Sequence, residues 1–162
     1  MKEKIKSLDE LKMIRERLKM EGKKLVFTNG CFDLIHIGHI RYLKMAKQFG
    51  DLLVVAINSD SSVRKIKGIK RPVIPQDERA EIIASLEFVD FVTVFDEPDP
   101  YNLIKELRPD FLIKGGDWKP EEIVGSDIVK AYGGSVISLP YLEGHSTSQI
   151  IERIVSLYSE GF

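Results

Sequence analysis

Two histidines three residues apart, with a glycine between them, stand where a strand pattern gives way to a helical one: His36-Ile37-Gly38-His39. Upstream, Lys24-Leu25-Val26-Phe27 reads as a short buried strand, and Thr28-Asn29-Gly30-Cys31-Phe32-Asp33 as a glycine-bearing turn. Downstream, Ile40, Leu43, Ala46 and Phe49 recur with a helical period. The pair therefore sits at a helix N-terminus, where unpaired N–H groups and the positive end of the helix dipole favour a phosphate. Two imidazoles there add donors for phosphoryl oxygens. The chemistry indicated is nucleotide chemistry of an uncommon kind, since neither G-x-G-x-x-G nor a Walker A sequence occurs. Asn29 and Asp33 divide between turn chemistry and ligand contact, and Cys31 suits a small buried filler in the same turn.

Other polar groups are expected at the same edge. The second strand ends in Asn58-Ser59-Asp60, a helix cap or Asx turn by residue type. The run Arg64 to Pro72 follows, with no acid between Asp60 and Asp77. A charge run is usually a solvated loop, but directly after a phosphate site it can balance a second, phosphate-bearing substrate. Lys65, Lys67 and Arg71 are the candidates. Arg79 lies in the first turn of the next helix, where a cation opposes the dipole unless an anion meets it. Lys114-Gly115-Gly116-Asp117 permits close backbone approach to a ligand. Trp118 reads as ordinary packing. Ser146, Thr147 and Ser148 exceed what one N-cap requires and suit the far phosphates of a triphosphate. His145 receives no role.

Positioning these groups requires alternating strands and helices. Strands are expected at 24–28, 52–57, 91–95, 110–114 and 135–139, several of them continuous apolar runs, as in a parallel sheet covered on both faces. Helical patterns fill 38–49, 77–87, 100–107, 120–132 and 147–158, after a lead helix at 8–21 with Ser7 as N-cap and Gly22 as stop. The expected fold is α/β: a Rossmann-like, doubly wound parallel sheet with helices on both faces, forming one domain over 1–162. Ligands in such sheets bind at the carboxyl ends of the strands, where each motif above falls.

Composition excludes several classes. A net charge of −1 offers no field to gather nucleic acid. A single cysteine forms no internal disulfide, and no apolar run reaches membrane-spanning length. A cytoplasmic protein with no nucleic-acid or membrane partner is expected.

The H-x-G-H sequence after "TNGCFD", with "KGGDW" and "GHSTSQII", resembles the nucleotidyltransferase superfamily that includes cytidylyltransferases and phosphopantetheine adenylyltransferase. Within it, residues 8–155 resemble in order the adenylyltransferase half of bacterial heptose-phosphate bifunctional enzymes. The resemblance implies transfer of AMP from ATP to D-glycero-β-D-manno-heptose 1-phosphate, giving ADP-heptose and pyrophosphate for lipopolysaccharide core synthesis. It implies Mg²⁺ carried on the ATP phosphates, with no metal ligand assigned in the protein. The usual sugar-kinase half of those enzymes is absent from this sequence, so a sugar-kinase step on a separate polypeptide is expected, and a homodimer is expected as well. The resemblance places an Arg at position 79 near substrate or triphosphate, the GGD segment beside the nucleotide, and the late hydroxyls on the β- and γ-phosphates.

The expected catalytic set is then His36, His39, Lys67 and Arg79. Nucleotide contacts are expected from Thr28, Asn29, Gly30, Cys31, Phe32, Asp33, Gly38, Lys114, Gly116, Asp117, Ser146 and Thr147. Acceptor contacts are expected from Asn58, Asp60, Lys65, Lys67 and Arg71. Two alternatives stand beside this set. One is a related transferase using glycerol 3-phosphate with CTP, or flavin mononucleotide with ATP; the other is a nucleotide-binding module without turnover.

Overall fold

The computed structural model describes residues 2–140 and 144–159. Five strands form one parallel sheet in the order β3-β2-β1-β4-β5: β1 (Leu25–Gly30), β2 (Leu52–Asn58), β3 (Phe91–Phe95), β4 (Phe111–Gly115) and β5 (Ser135–Leu139). Alternate residues of the central strands feed opposite cores. Val26, Val55 and Ile57 pack with Leu43 and Ala46 of α2 (Ile37–Lys47). Ile83 of α4 (Gln76–Ala84) joins that layer. Leu25, Phe27, Val54 and Ala56 pack instead with α1 (Leu8–Met20), α5 (Tyr101–Leu107) and α6 (Ser126–Ala131) through Leu11, Ile104 and Val129. Period-two alternation with both faces covered explains why these strands read as unbroken apolar runs.

The lead helix forms for the expected reason. Ser7 Oγ accepts from the Glu10 N–H at 3.3 Å, and the Glu10 carboxylate accepts from the Ser7 N–H at 2.8 Å, a reciprocal capping box. Gly22, at φ +69°, follows its last turn.

Two segments differ from expectation. Residues 60–67 form a helix, α3 (Asp60–Lys67), where the cation run suggested a loop; Ser59 caps it, accepting from Ser62 N–H. The 120–132 pattern is two elements, a 3₁₀ turn Pro120–Glu122 and the short α6. Gly125 divides them at φ +86°, a conformation that ends helical continuity. No helix among the described residues is long and apolar enough to cross a membrane.

The strand order reverses at β1, between β2 and β4, and there the sheet opens. β1 pairs with β2 from Leu25 to Gly30, but with β4 only through Val26 and Phe27. Tyr42 of α2 fills the parting: its hydroxyl donates to the Ile113 carbonyl at 3.1 Å and so accepts from Thr28 Oγ1 at 2.5 Å. Such a switch point is where doubly wound sheets bind ligands.

Candidate active site

A cleft of about 770 Å³ lies over the carboxyl ends of β1 and β4, ample for a nucleoside triphosphate and part of a second substrate. Two helix N-termini open into it. At α2, His36 is the N-cap residue and His39 lies in the first turn, their rings 3.8 Å apart between centroids. At α7 (Thr147–Tyr158), Ser146 is the cap, accepting from the Gln149 N–H at 3.2 Å.

The histidine geometry fixes its own chemistry. The His36 backbone N–H donates to His39 Nδ1 at 3.4 Å, so the ring proton of His39 sits on Nε2. Burial, then the neighbouring His36, push the His39 pKa down to about 4. At neutral pH His39 is therefore an uncharged imidazole with a single N–H to offer. Burial and then His145 also lower the pKa of His36. Its Nδ1 is buried without a hydrogen-bond partner among the described residues.

Gly38 is required by the ring above it: a Cβ there would come within 2.9 Å of His36 Cε1 and Nδ1. Phe32, at φ +46°, is buried beneath the pair, its ring 5.3 Å from that of His39. A Cβ on Gly30 would meet Phe32 Cε2 at 3.0 Å, so this turn needs both a glycine and a left-handed residue.

Lys114 rises from β4 into the cleft, and among the described residues its ammonium makes only a long contact, 3.5 Å, to Asn29 Oδ1. Burial lowers its pKa, and Lys67 adds to the effect. Lys67, from the end of α3, reaches the same cleft with no acidic partner among the described residues. Among the described residues no cluster of three His, Cys, Asp or Glu side chains could hold a metal ion.

Of the expected site residues, Asn29, Gly30, Cys31, Phe32, Asp33, His36, Gly38, His39, Asn58, Lys67, Arg71, Lys114, Ser146 and Thr147 all line this cleft. Six do not. Thr28 is fully buried under Tyr42, shaping the floor. Gly116 donates its N–H to the Leu139 carbonyl, and Asp117 faces solvent outside the cleft wall. Lys65 is exposed on α3 and points to no part of the lining.

Arg79 and Asp60 depart most from expectation. Arg79 is completely buried, donating to the carbonyls of Ile74, Cys31 and Asn58 and, at 2.7 Å, to Asp60 Oδ1. The anion that reconciles Arg79 with its helix terminus is thus a protein carboxylate. It braces the β1 turn against the end of β2 without touching the cleft.

Asp33 lines the cleft but is committed as well. Its carboxylate accepts from the Val73 and Ile74 N–H groups and from Arg71 Nε. Burial alone would raise its pKa; the two N–H donors and Arg71 hold it below the ordinary carboxylate range. Both oxygens pin the 71–74 strap.

Sequence reasoning missed Trp118 and His145. Trp118 is 47% exposed in the cleft wall, and the ring of His145 lies 6.5 Å from that of His36. For His145 the usable signal was its place one residue before the Ser146 cap.

A protein-family model described as cytidylyltransferase-like matches residues 27–153. The chain is 53% identical to the bifunctional protein HldE of Geobacter metallireducens over 157 residues, 97% of this chain and 32% of that one. It is 51% identical to HldE of Nitratiruptor sp. over 152 residues, 94% of this chain and 32% of the relative. It thus spans about a third of the length of these curated relatives. A solved lipopolysaccharide core biosynthesis protein from Thermoplasma volcanium superposes with a TM-score of 0.63 at 31% identity, covering 76% of this chain and all of that one. Pantoate-beta-alanine ligase from Francisella tularensis shares the fold at 18% identity, with a TM-score of 0.61 over 98% of this chain and 79% of the ligase.

Proposed function

The chain belongs to the cytidylyltransferase-like family, and from that premise we propose that it transfers AMP from ATP to D-glycero-β-D-manno-heptose 1-phosphate. One observation carries the reading. Two helix N-termini, a neutral histidine pair and two cations without acidic partners among the described residues converge on one cleft at the switch point. That is a site for a triphosphate together with a second phosphate. The heptose rests on the HldE relatives and the ordered resemblance over residues 8–155.

In this reading a phosphate oxygen of the acceptor attacks the α-phosphorus of ATP. The bond to the α–β bridging oxygen breaks, and pyrophosphate leaves with the electron pair. A phosphate monoester is already ionised at neutral pH, so neither a base nor a covalent enzyme intermediate is needed. What remains is alignment and stabilisation of charge growing on the α-phosphate and the leaving group. His39, through Nε2–H, and His36 donate to the α- and β-phosphate oxygens. Being uncharged, His39 does so without handing over its proton. Backbone groups at Gly30 and Phe32 hold the nucleotide, the Ser146 and Thr147 hydroxyls take β- and γ-oxygens, and Lys114 balances their charge.

Lys67 and Arg71 face the acceptor phosphate. Arg71 keeps Asp33 as its partner, so Lys67 supplies the freer charge. Mg²⁺ would be carried on the ATP phosphates. Bound there, it would neutralise the leaving pyrophosphate. The HldE relatives are bifunctional on one chain, so they lend no support to a kinase on a separate polypeptide.

A competition assay tests the proposal. ATP with heptose 1-phosphate and CTP with glycerol 3-phosphate are supplied together with Mg²⁺, and the product is weighed by mass spectrometry. ADP-heptose is expected; CDP-glycerol would overturn the acceptor and base while leaving nucleotidyl transfer in place.

A further inference from the structure

We propose that Trp118, Glu122 and Asp99 form the subsite for the sugar ring of the acceptor, with the indole as a platform and the two carboxylates as hydroxyl acceptors. The proposal rests on the transferase reading above and deepens it.

Two connections build this wall of the cleft. The segment before α5 brings Pro98, Asp99 and Pro100, and the segment before α6 brings Glu122 and Val124. They are fastened together: Tyr101 Oη donates to Asp127 Oδ2 at 3.1 Å, and Gly125 lies so close to Ile104 that a Cβ would stand 2.8 Å from its Cδ1. The wall is therefore a made surface and not two loose loops.

Trp118 is fixed yet open. Its Nε1 donates to the Gly115 carbonyl at 3.1 Å, which satisfies its one polar atom and sets the ring plane, while about half of the residue remains exposed. What it still offers a ligand is an aromatic face. Asp99 uses Oδ1 to accept the Tyr101 N–H at 2.9 Å, holding the start of α5. Glu122 has no hydrogen-bond or ion-pair partner among the described residues, although it lines the cleft.

Charge divides the cleft. Lys67, Arg71 and Lys114 all stand close enough to Cys31 of the β1 turn to act on it electrostatically, whereas the charged side chains that the two connections bring to the lining, among the described residues, are two carboxylates. Carboxylates repel a triphosphate and accept from hydroxyls. The edge of a purine needs donors as well as acceptors, and the side chains of this wall supply acceptors only. A polyol meets them fully, because each hydroxyl can donate, and the apolar C–H face of its ring can lie on the indole. The arrangement selects a large polyhydroxylated acceptor whose phosphate points toward Lys67.

The sequence holds one tryptophan, so Trp118 is its own reporter. Heptose 1-phosphate titrated into the protein already carrying a non-hydrolysable ATP analogue and Mg²⁺ should change Trp118 emission saturably. In Glu122→Gln and Asp99→Asn, which keep shape and the α5 cap, the titration should shift to at least ~10-fold higher sugar phosphate, with the acceptor KM rising in parallel and the ATP KM within twofold. Trp118→Ala should raise the acceptor KM in the same way, with Trp118→Phe recovering part of it. Emission blind to the sugar phosphate, or variants that raise the ATP KM instead, would overturn the subsite. Failure of the transferase reading looks different: the parent would then form no ADP-sugar whatever the emission does.

Discussion

The β1–β4 seam carries charged residues at both of its ends, and the two ends treat them in opposite ways. At the amino end Asp110 accepts from the Leu25 N–H and from Arg15 at 2.8 Å each, with Lys24 at 3.4 Å, while Arg15 also donates to the Arg108 carbonyl. Burial would raise the Asp110 pKa, but the Leu25 N–H and Arg15 hold it below the ordinary range. At the carboxyl end, among the described residues, Lys67 and Lys114 reach the cleft without carboxylate partners and the buried His36 Nδ1 has no hydrogen-bond partner. A charge whose partners are all in the protein is architecture; a buried polar atom left without one is open to something that is not protein. Arg79 shows that place alone does not decide, since it stands near the carboxyl end yet is saturated like Asp110.

The contrast breaks most visibly at Asp110. Replacing it by Ala leaves Arg15 half-satisfied and the Leu25 N–H unpaired, and should cost roughly 3 kcal/mol of stability. Denaturant unfolding measures that cost, and KM values for both substrates should stay within twofold. His39→Ala should give the mirror image: turnover lower by ~100-fold or more with ATP affinity and unfolding midpoint little changed, because the lost donor serves charge that develops only in the transition state. Pyrophosphate release and calorimetric ATP binding separate the two effects. Were Asp110→Ala to abolish turnover in the folded fraction, or His39→Ala to unfold the chain, the division between the ends would be wrong.

The architecture end was the more legible in the sequence. All five strands fall within two residues of their expected spans, because apolar runs and Gly or Pro boundaries are local signals. The histidine pair, Gly38 and the Ser146 cap were legible for the same reason: helix termini announce themselves within four residues. Arg79 was not, since its partners lie 5, 19, 21 and 48 residues away and come together only in the fold. Helix α3 was hidden by its cations, Val63 being its one buried apolar side chain. Trp118 was read as packing because an aromatic residue usually is, and its hydrogen bond to Gly115 becomes visible only once β4 is placed.

Lys67 sharpens the comparison with a smaller effect. Lys67→Ala should raise the acceptor KM about tenfold and leave the ATP KM nearly unchanged, since Lys114 still faces the triphosphate. Initial rates with each substrate varied in turn are the test. Small, equal changes in both constants would return α3 to the role of a solvated helix.

The smallest expected effect concerns pH and follows from the neutrality of His39. An unfolded chain takes up the imidazole proton near 6.5, whereas the folded protein resists it until about 4. Between those values the unfolded state binds more protons, so stability falls as pH drops from 6.5 toward 4 and does not respond to this group above 6.5. His36 acts with the same sign. Asp33 and Asp110, both held below 3.8, contribute stability that is lost mainly beneath this window. His39→Gln keeps an N–H donor but cannot titrate, so its urea midpoint should decline less than the parent's between pH 7 and pH 5, by on the order of 1 kcal/mol. Equal declines would mean that His39 is as easily protonated in the fold as outside it. A bound triphosphate would then draw it readily into the imidazolium form, and the upper end of the seam would hold its ligand partly by charge where it now does so by an oriented neutral donor.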